Sequence, residues 1–247
     1  MFLLYNNFMD IKTYKKDAFY SYTLGAFPTI ELLKKHPQNV LKIVLHSSFQ
    51  NEEVINLINS LRGKSEMIIN DKLIAKLSQK ENCYVMAIFN KYPMDLDKNS
   101  NHILLVNPMN MGNFGTIIRS ALGFNFKNIA IIKPAIDIFD PKVLRAAMGA
   151  FFHCNITYFN SIEEYKKAYP THTLYSFMLQ AKNTLQEKTF NPNERLTLVF
   201  GNESSGLPPS YLDSNSIIIK HNAEIDSLNL PSAVGIALYE VSKQINK

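Results

Sequence analysis

The stretch HILLVNPMNMGNFGTIIRSALGF, residues 102–124, sets an unbroken apolar run directly before a polar turn and a helical repeat. Ile103, Leu104, Leu105 and Val106 follow one another with no alternating polar residue, the pattern of a strand covered on both faces in a parallel sheet. Beyond the turn, Phe114, Ile117, Ile118, Ala121 and Leu122 recur at the spacing of one helix face. A buried strand feeding a covering helix is half of a β-α-β unit, so this stretch predicts an α/β fold. Asn113 is expected to cap the helix, and Arg119 lies off its apolar stripe beside Thr116. A capped, positive helix end with an arginine one turn further in suits a phosphate, but an ordinary surface helix looks the same.

Working outward, strand-like runs near 128–132, 173–177, 196–200 and 216–219 alternate with helical patterns and predict a large α/β domain over residues 102–247. Its terminal helix has Val234, Ala237, Leu238, Val241 and Ile245 on one face. On the other side, NKYPMDLDKNSN (90–101) has no apolar period and reads as a linker. Residues 1–98 form a smaller α/β unit. There TIELLKKH (29–36), NEEVINLINSLRG (51–63) and DKLIAKLSQ (71–79) are helical, whereas VLKIVLHS (40–47), EMIIN (66–70) and CYVMAIF (83–89) are strands. No repeat or low-complexity segment interrupts either unit.

The 247 residues carry 26 basic and 21 acidic side chains, a formal charge of +5 spread over both halves. That balance favours an anionic partner without naming one. MFLLYNNFMDIKTYKK (1–16) lacks the basic start and small-residue cleavage site of a signal peptide, and no run is long and apolar enough to span a bilayer. A cytoplasmic protein with no membrane partner is expected. The two cysteines, Cys83 and Cys154, are expected to be buried free thiols, and no metal site is expected because the six histidines are scattered.

Three further segments carry polar groups with chemical potential. DPKVLRAAMGA (140–150) starts a helix at Asp140 and Pro141 and puts Lys142 and Arg145 three residues apart on one face. LVFGNESSGL (198–207) breaks a buried strand into a loop with Glu203 between Gly201 and Gly206, where ligands sit beyond the carboxyl edge of a parallel sheet. SLNLPSA (227–233) places Ser227, Leu228 and Asn229 at the start of the terminal helix. A serine hydrolase elbow is excluded because G-x-S-x-G around Ser204 would need glycine where Asn202 stands, and the first loop lacks the G-x-G-x-x-G of dinucleotide-binding folds.

NFGTIIRSA, KVLRAAMGA, LVFGNESSGL and SLNLPSA, in this order, closely resemble the signature blocks of the SpoU/TrmH family, the SPOUT-superfamily RNA 2′-O-ribose methyltransferases. The resemblance implies a trefoil-knotted parallel-sheet domain that binds S-adenosyl-L-methionine and pairs into a homodimer. It also implies an L30e-like RNA-binding domain in front, and an rRNA or tRNA substrate. Carried onto this chain, it implies catalytic roles for Asn113, Arg119, Glu203, Ser227 and Asn229, with Arg119 at the ribose hydroxyl and its phosphate. Phe200, Gly201, Asn202, Glu203, Gly206, Ile219, Leu228 and Asn229 would hold the methyl donor, and Arg119, Lys142 and Arg145 the RNA. The chain departs from the family pattern where Ile-Pro-Met and a later glycine are usual, carrying Ile219-Lys220-His221 and Ala223, and it has Asn125 for a glycine after the first motif. A non-catalytic RNA-binding relative is the alternative.

Overall fold

The computed structural model describes residues 11–78 and 82–245, so the apolar start that bears on a leader, residues 1–10, lies outside it. The chain divides into two compact units, Met1–Lys91 and Tyr92–Lys247.

In the first unit the elements follow as β1 (Tyr20–Tyr22), α1 (Ala26–Lys35), β2 (Val40–Leu45), α2 (Glu52–Leu61), β3 (Glu66–Ile69), α3 (Asp71–Leu77) and β4 (Val85–Asn90). The strands form one sheet in the order β1-β4-β2-β3, in which β4 is antiparallel to both neighbours and β2 and β3 are parallel. The starts of α2 and α3 have a chemical cause: Asn51 and Asn70 accept from the backbone N–H of Val54 and Leu73 and cap the two helices. Tyr20, Tyr22, Val44, Met86 and Ile88 pack with Ile74 and Leu77 into one core. Of Val54, Ile55, Ile58 and Leu61, the apolar residues at helical spacing in α2, only Ile58 is fully buried, because the helix lies at the surface.

The second unit contains β5 (His102–Val106), α4 (Met111–Gly123), β6 (Asn128–Ile132), α5 (Pro141–Ala146), β7 (Asn155–Phe159), α6 (Ile162–Ala168), β8 (His172–Ser176), β9 (Asn183–Thr184), β10 (Arg195–Phe200), β11 (Ile217–Ile218) and α7 (Leu230–Ile245). Five strands make a wholly parallel sheet in the order β7-β6-β5-β10-β8. Every residue of β5 and β6 is buried, which explains their unbroken apolar sequence. The predicted stripe of α4 is buried at Phe114, Ile117, Ile118 and Ala121, and that of α7 at Val234, Ala237, Leu238 and Val241. A Cβ on Gly115 would lie 2.3 Å from the Cβ of Ala146, so only glycine lets α4 and α5 approach this closely. After α4, Asn125 takes a left-handed φ of 62°, the conformation that glycine usually supplies there.

Three expectations are corrected. The run at 216–219 does not join the main sheet; Ile217–Ile218 pairs in parallel with β9 as a separate two-stranded ribbon. The segment read as a linker packs onto the second unit from Tyr92 onward, with Leu96 in its core and the Met94 carbonyl accepting from the Thr157 hydroxyl. Cys154 is a buried free thiol, whereas Cys83 is half-buried. Among the described residues no helix is long and apolar enough to cross a membrane.

A polar cluster at the amino ends of β5, β8 and β10 ties this segment down. His102 donates from Nε2 to the Asp97 carbonyl at 2.9 Å and accepts at Nδ1 from the Tyr165 hydroxyl at 2.8 Å. Thr197 Oγ1 lies 2.7 Å from that hydroxyl and 3.0 Å from His172 Nδ1, and His172 Nε2 donates to the Lys98 carbonyl at 3.2 Å. Burial pushes the His102 imidazole down to about 4, reinforced by His172 and opposed by the Asp97 carbonyl. Burial also lowers His172. The native state therefore holds His102 neutral while the unfolded chain binds a proton below about pH 6.5. The stability this represents is complete above that pH and is lost as the pH falls toward 4, by about 3 kcal/mol for His102. Urea unfolding at pH 7.5 and pH 5 is expected to show the drop, and His102→Gln to flatten it.

Candidate functional site

Strands β5 and β10 are neighbours, yet the chain leaves β5 toward β6 on one side and reaches β10 from β8 on the other. The loops after these two strands therefore diverge from one point on the carboxyl edge, where open parallel sheets form crevices. Two side chains join the loops. Asn202 donates through Nδ2 to the Asn107 carbonyl at 2.7 Å. The Glu203 carboxylate accepts from the backbone N–H of Met109 (3.4 Å) and Asn110 (3.3 Å), and from Asn113 Nδ2 (3.4 Å). Three long hydrogen bonds to one carboxylate hold the start of α4 against the β10 loop.

This geometry corrects the helix cap. Asn110, not Asn113, is the N-cap: its Oδ1 accepts from the Asn113 backbone N–H at 2.9 Å. Two asparagines three apart satisfy the same sequence rule. Only the fold shows that the first caps, leaving the second free to reach Glu203.

The loop itself is a closed hairpin. Asn202 and Gly206 exchange backbone hydrogen bonds of 3.2 and 3.0 Å. Inside the turn Asn202 Oδ1 accepts from the Ser204 N–H (2.9 Å), the Ser204 hydroxyl (3.1 Å) and the Ser205 N–H (3.4 Å). The serine that superficially resembles a nucleophile thus has its proton directed at a neighbouring amide. Gly201 lies under the closure: a Cβ there would be 2.1 Å from the Gly206 carbonyl carbon.

Against this hairpin opens a cavity of about 240 Å³. Its other walls are the chain after β8 (Phe177–Gln180), Ile217, Ile218, Ile219 and His221, and the start of α7 around Ser227, Leu228 and Ala233. Phe177 stacks on Phe200 with ring centres 4.5 Å apart and planes 10° apart, placing an aromatic stack in the cavity lining. Glu203 is the sole Asp, Glu, Lys or Arg among the lining residues, and His221 the sole histidine.

Of the residues predicted from sequence, Phe200, Gly201, Asn202, Glu203, Gly206, Ile219, Ser227 and Leu228 line the cavity together. Asn229 does not; its carbonyl accepts from the Ala233 N–H in the first turn of α7. Asn113 meets the site only through Glu203. Arg119 is exposed on α4, Lys142 exposed and Arg145 half-buried on α5, and none of the three lines the cavity. Sequence reasoning missed the wall at Phe177–Gln180, although its position directly after a parallel strand is a signal for a site. It also registered His221 only as a departure from a pattern.

Residues 100–239 match the SpoU rRNA Methylase family. A tRNA/rRNA methyltransferase of Synechocystis sp., itself uncharacterized, is 33% identical over 138 residues, 54% of this chain and 49% of the relative, so the match spans about half of that protein. A Listeria monocytogenes protein provisionally named tRNA (cytidine(34)-2′-O)-methyltransferase is 28% identical over 151 residues, 59% of this chain and 89% of the relative. In fold, the SpoU methyltransferase AviRb from Streptomyces viridochromogenes superposes with a TM-score of 0.79 at 20% identity over 92% of this chain and 90% of its own. It has also been solved in complex with the cofactor AdoMet. With the family's matched span running from the strand before the first loop into α7, this chain belongs to the SpoU rRNA methylase family.

Proposed function

We propose that this methyltransferase transfers a methyl group from S-adenosyl-L-methionine to a ribose 2′-hydroxyl of structured RNA, rRNA or tRNA. The observation that carries the reading is the cavity at the carboxyl edge of β8 and β10, which collects eight of the residues assigned from sequence to the catalytic and donor-binding sets.

The cavity suits such a donor on its own chemistry. The Phe177–Phe200 stack gives the lining an apolar aromatic group against which a purine can pack, and the surrounding loops offer backbone hydrogen-bond partners. No lysine or arginine lines it, so a cationic ligand meets no like charge, and Glu203 supplies the one permanent counter-charge. When bound, S-adenosyl-L-methionine supplies an electrophilic methyl group on a sulfonium centre. The chain's own contribution is alignment, which for a displacement at carbon needs little more than fixed geometry. Glu203 and Asn202 fix the hairpin against α4, and Ser227 and Leu228 close the opposite side. Arg119, exposed and in no ion pair among the described residues, is free to grip an RNA phosphate with its planar fork. A guanidinium does not give up its proton near neutral pH, so Arg119 orients the hydroxyl rather than deprotonating it, and the proton passes to phosphate oxygen or water.

Lys142, exposed, and Arg145, half-buried, stand on α5, the helix that packs closely on α4 at Gly115, and are assigned to RNA phosphate. The first unit is assigned an L30e-like RNA-binding role; its exposed Tyr84, edge-on to His46 and stacked near Phe49, is the kind of aromatic group on which unpaired bases rest. A trefoil knot in the second unit, a homodimer through it and a cytoplasmic location complete the reading.

The test uses the full chain, donor labelled in its methyl group, and total RNA from cells lacking this protein. Label is expected in RNA and, after alkaline hydrolysis, in resistant dinucleotides, because a 2′-O-methyl group blocks cleavage of the adjoining phosphodiester. Label recovered on bases would overturn the ribose assignment. Donor binding with no transfer to any RNA would favour the non-catalytic relative.

A further inference from the structure

We infer that His221 is a donor-contacting hydrogen-bond acceptor, held in one tautomer by the chain at the cavity wall; this deepens the donor-pocket reading and rests on it. His221 is half-buried and lines the cavity with Glu203, Ser227 and Leu228. Its Nδ1 lies 2.7 Å from the Ile219 carbonyl. A carbonyl only accepts, so Nδ1 carries the proton and the neutral ring presents the Nε2 lone pair. Among the described residues the Ile219 carbonyl is the ring's hydrogen-bond partner, which leaves Nε2 for a ligand N–H or O–H.

The turn that carries the ring is fixed from below. Gln186 donates through Nε2 to the Lys220 carbonyl at 3.1 Å and accepts the Lys220 N–H at Oε1 at 3.4 Å. Next to this clamp the Leu185 N–H donates to the Ile218 carbonyl at 2.9 Å, continuing the β9–β11 pairing. A proline at 220, the residue usual in the resembling family, would have no N–H to give Gln186. The departure at 220 therefore comes with its own support, and the departure at 221 exchanges a weak sulfur acceptor for a strong nitrogen one.

The donor class offers matching groups in its exocyclic amine, ribose hydroxyls and ammonium. The charged neighbours are few: Glu203 faces the cavity from the β10 hairpin, and Lys220, Glu224 and Asp226 lie exposed on the loop of His221. The Phe177–Gln180 wall and the start of α7 bring no charge.

Calorimetric titration of the full chain with S-adenosylhomocysteine at about pH 8 tests this, with thermal melts confirming that each variant is folded. His221→Gln, which keeps an acceptor near the Nε2 position, is expected to bind within about threefold of wild type. His221→Asn, which reaches only as far as Nδ1, is expected to bind about tenfold more weakly than wild type. Equal affinity in His221→Asn overturns the inference while leaving the pocket reading intact. Absence of binding by the wild type overturns both.

Discussion

Replacing Gly201 by alanine is expected to weaken S-adenosylhomocysteine binding about a hundredfold while lowering the unfolding midpoint by no more than about 5 °C. The added Cβ would lie 2.1 Å from the Gly206 carbonyl carbon, 2.3 Å from the Leu207 nitrogen and 2.4 Å from the Gly206 oxygen. All three are backbone atoms, so no side chain can swing away, and relief requires the Asn202–Gly206 hydrogen bonds to open. Opening them releases the hairpin that carries Asn202 and Glu203, and with it the ties to the start of α4. The damage stays local because the sheet beneath, from Leu196 to Phe200, is buried and paired on both sides. Gly206→Asn is the internal control. There φ is +65° and nothing lies within 4 Å of an added Cβ, so the demand is only for a left-handed backbone, which asparagine meets at little cost. Binding should fall no more than about fivefold. Full affinity in Gly201→Ala would remove the hairpin from the donor site.

The contrast between these two glycines shows where sequence reading stops. From the string alone both are permissive residues flanking a loop; the distinction between steric and torsional need appears only when the loop closes on itself. Period and continuity were legible because they report burial, a local property: the unbroken β5 run and the α4 and α7 stripes are buried where predicted, except at the stripe ends Leu122 and Ile245. Adjacency was not. That β10 lies beside β5, some ninety residues earlier, and that β11 pairs with β9 outside the main sheet depend on how crossovers stack. The same limit hid the wall at Phe177–Gln180, four residues with no motif whose importance comes from following β8 at the edge beside β10. It also hid the packing of Tyr92–Asn101. Pro93, Asp95 and Asp97 mark a loop correctly, but its carbonyls at Asp97 and Lys98 serve two buried histidines, a long-range use that composition does not record.

Arg119 carries the other large prediction. Arg119→Ala is expected to lower methyl transfer to RNA about a hundredfold, with S-adenosylhomocysteine affinity unchanged. Arg119→Lys is expected to retain about a tenth of the wild-type rate. The two halves rest on separate observations. Donor affinity should hold because Arg119 lies outside the cavity and is no partner in the Glu203 and Asn202 ties, which run to Met109, Asn110, Asn113 and Asn107. Transfer should fall because the side chain is exposed, lies off the buried stripe of α4 and is in no ion pair among the described residues. A fork of N–H donors fixes both the distance and the plane of a phosphate; an ammonium fixes only the distance. The comparison of lysine with alanine therefore separates charge from geometry. A lysine variant with near-full turnover would show that charge alone suffices and would remove the orienting role. An alanine variant that loses donor binding as well would place Arg119 in the pocket after all, contrary to its position on the exposed face of α4.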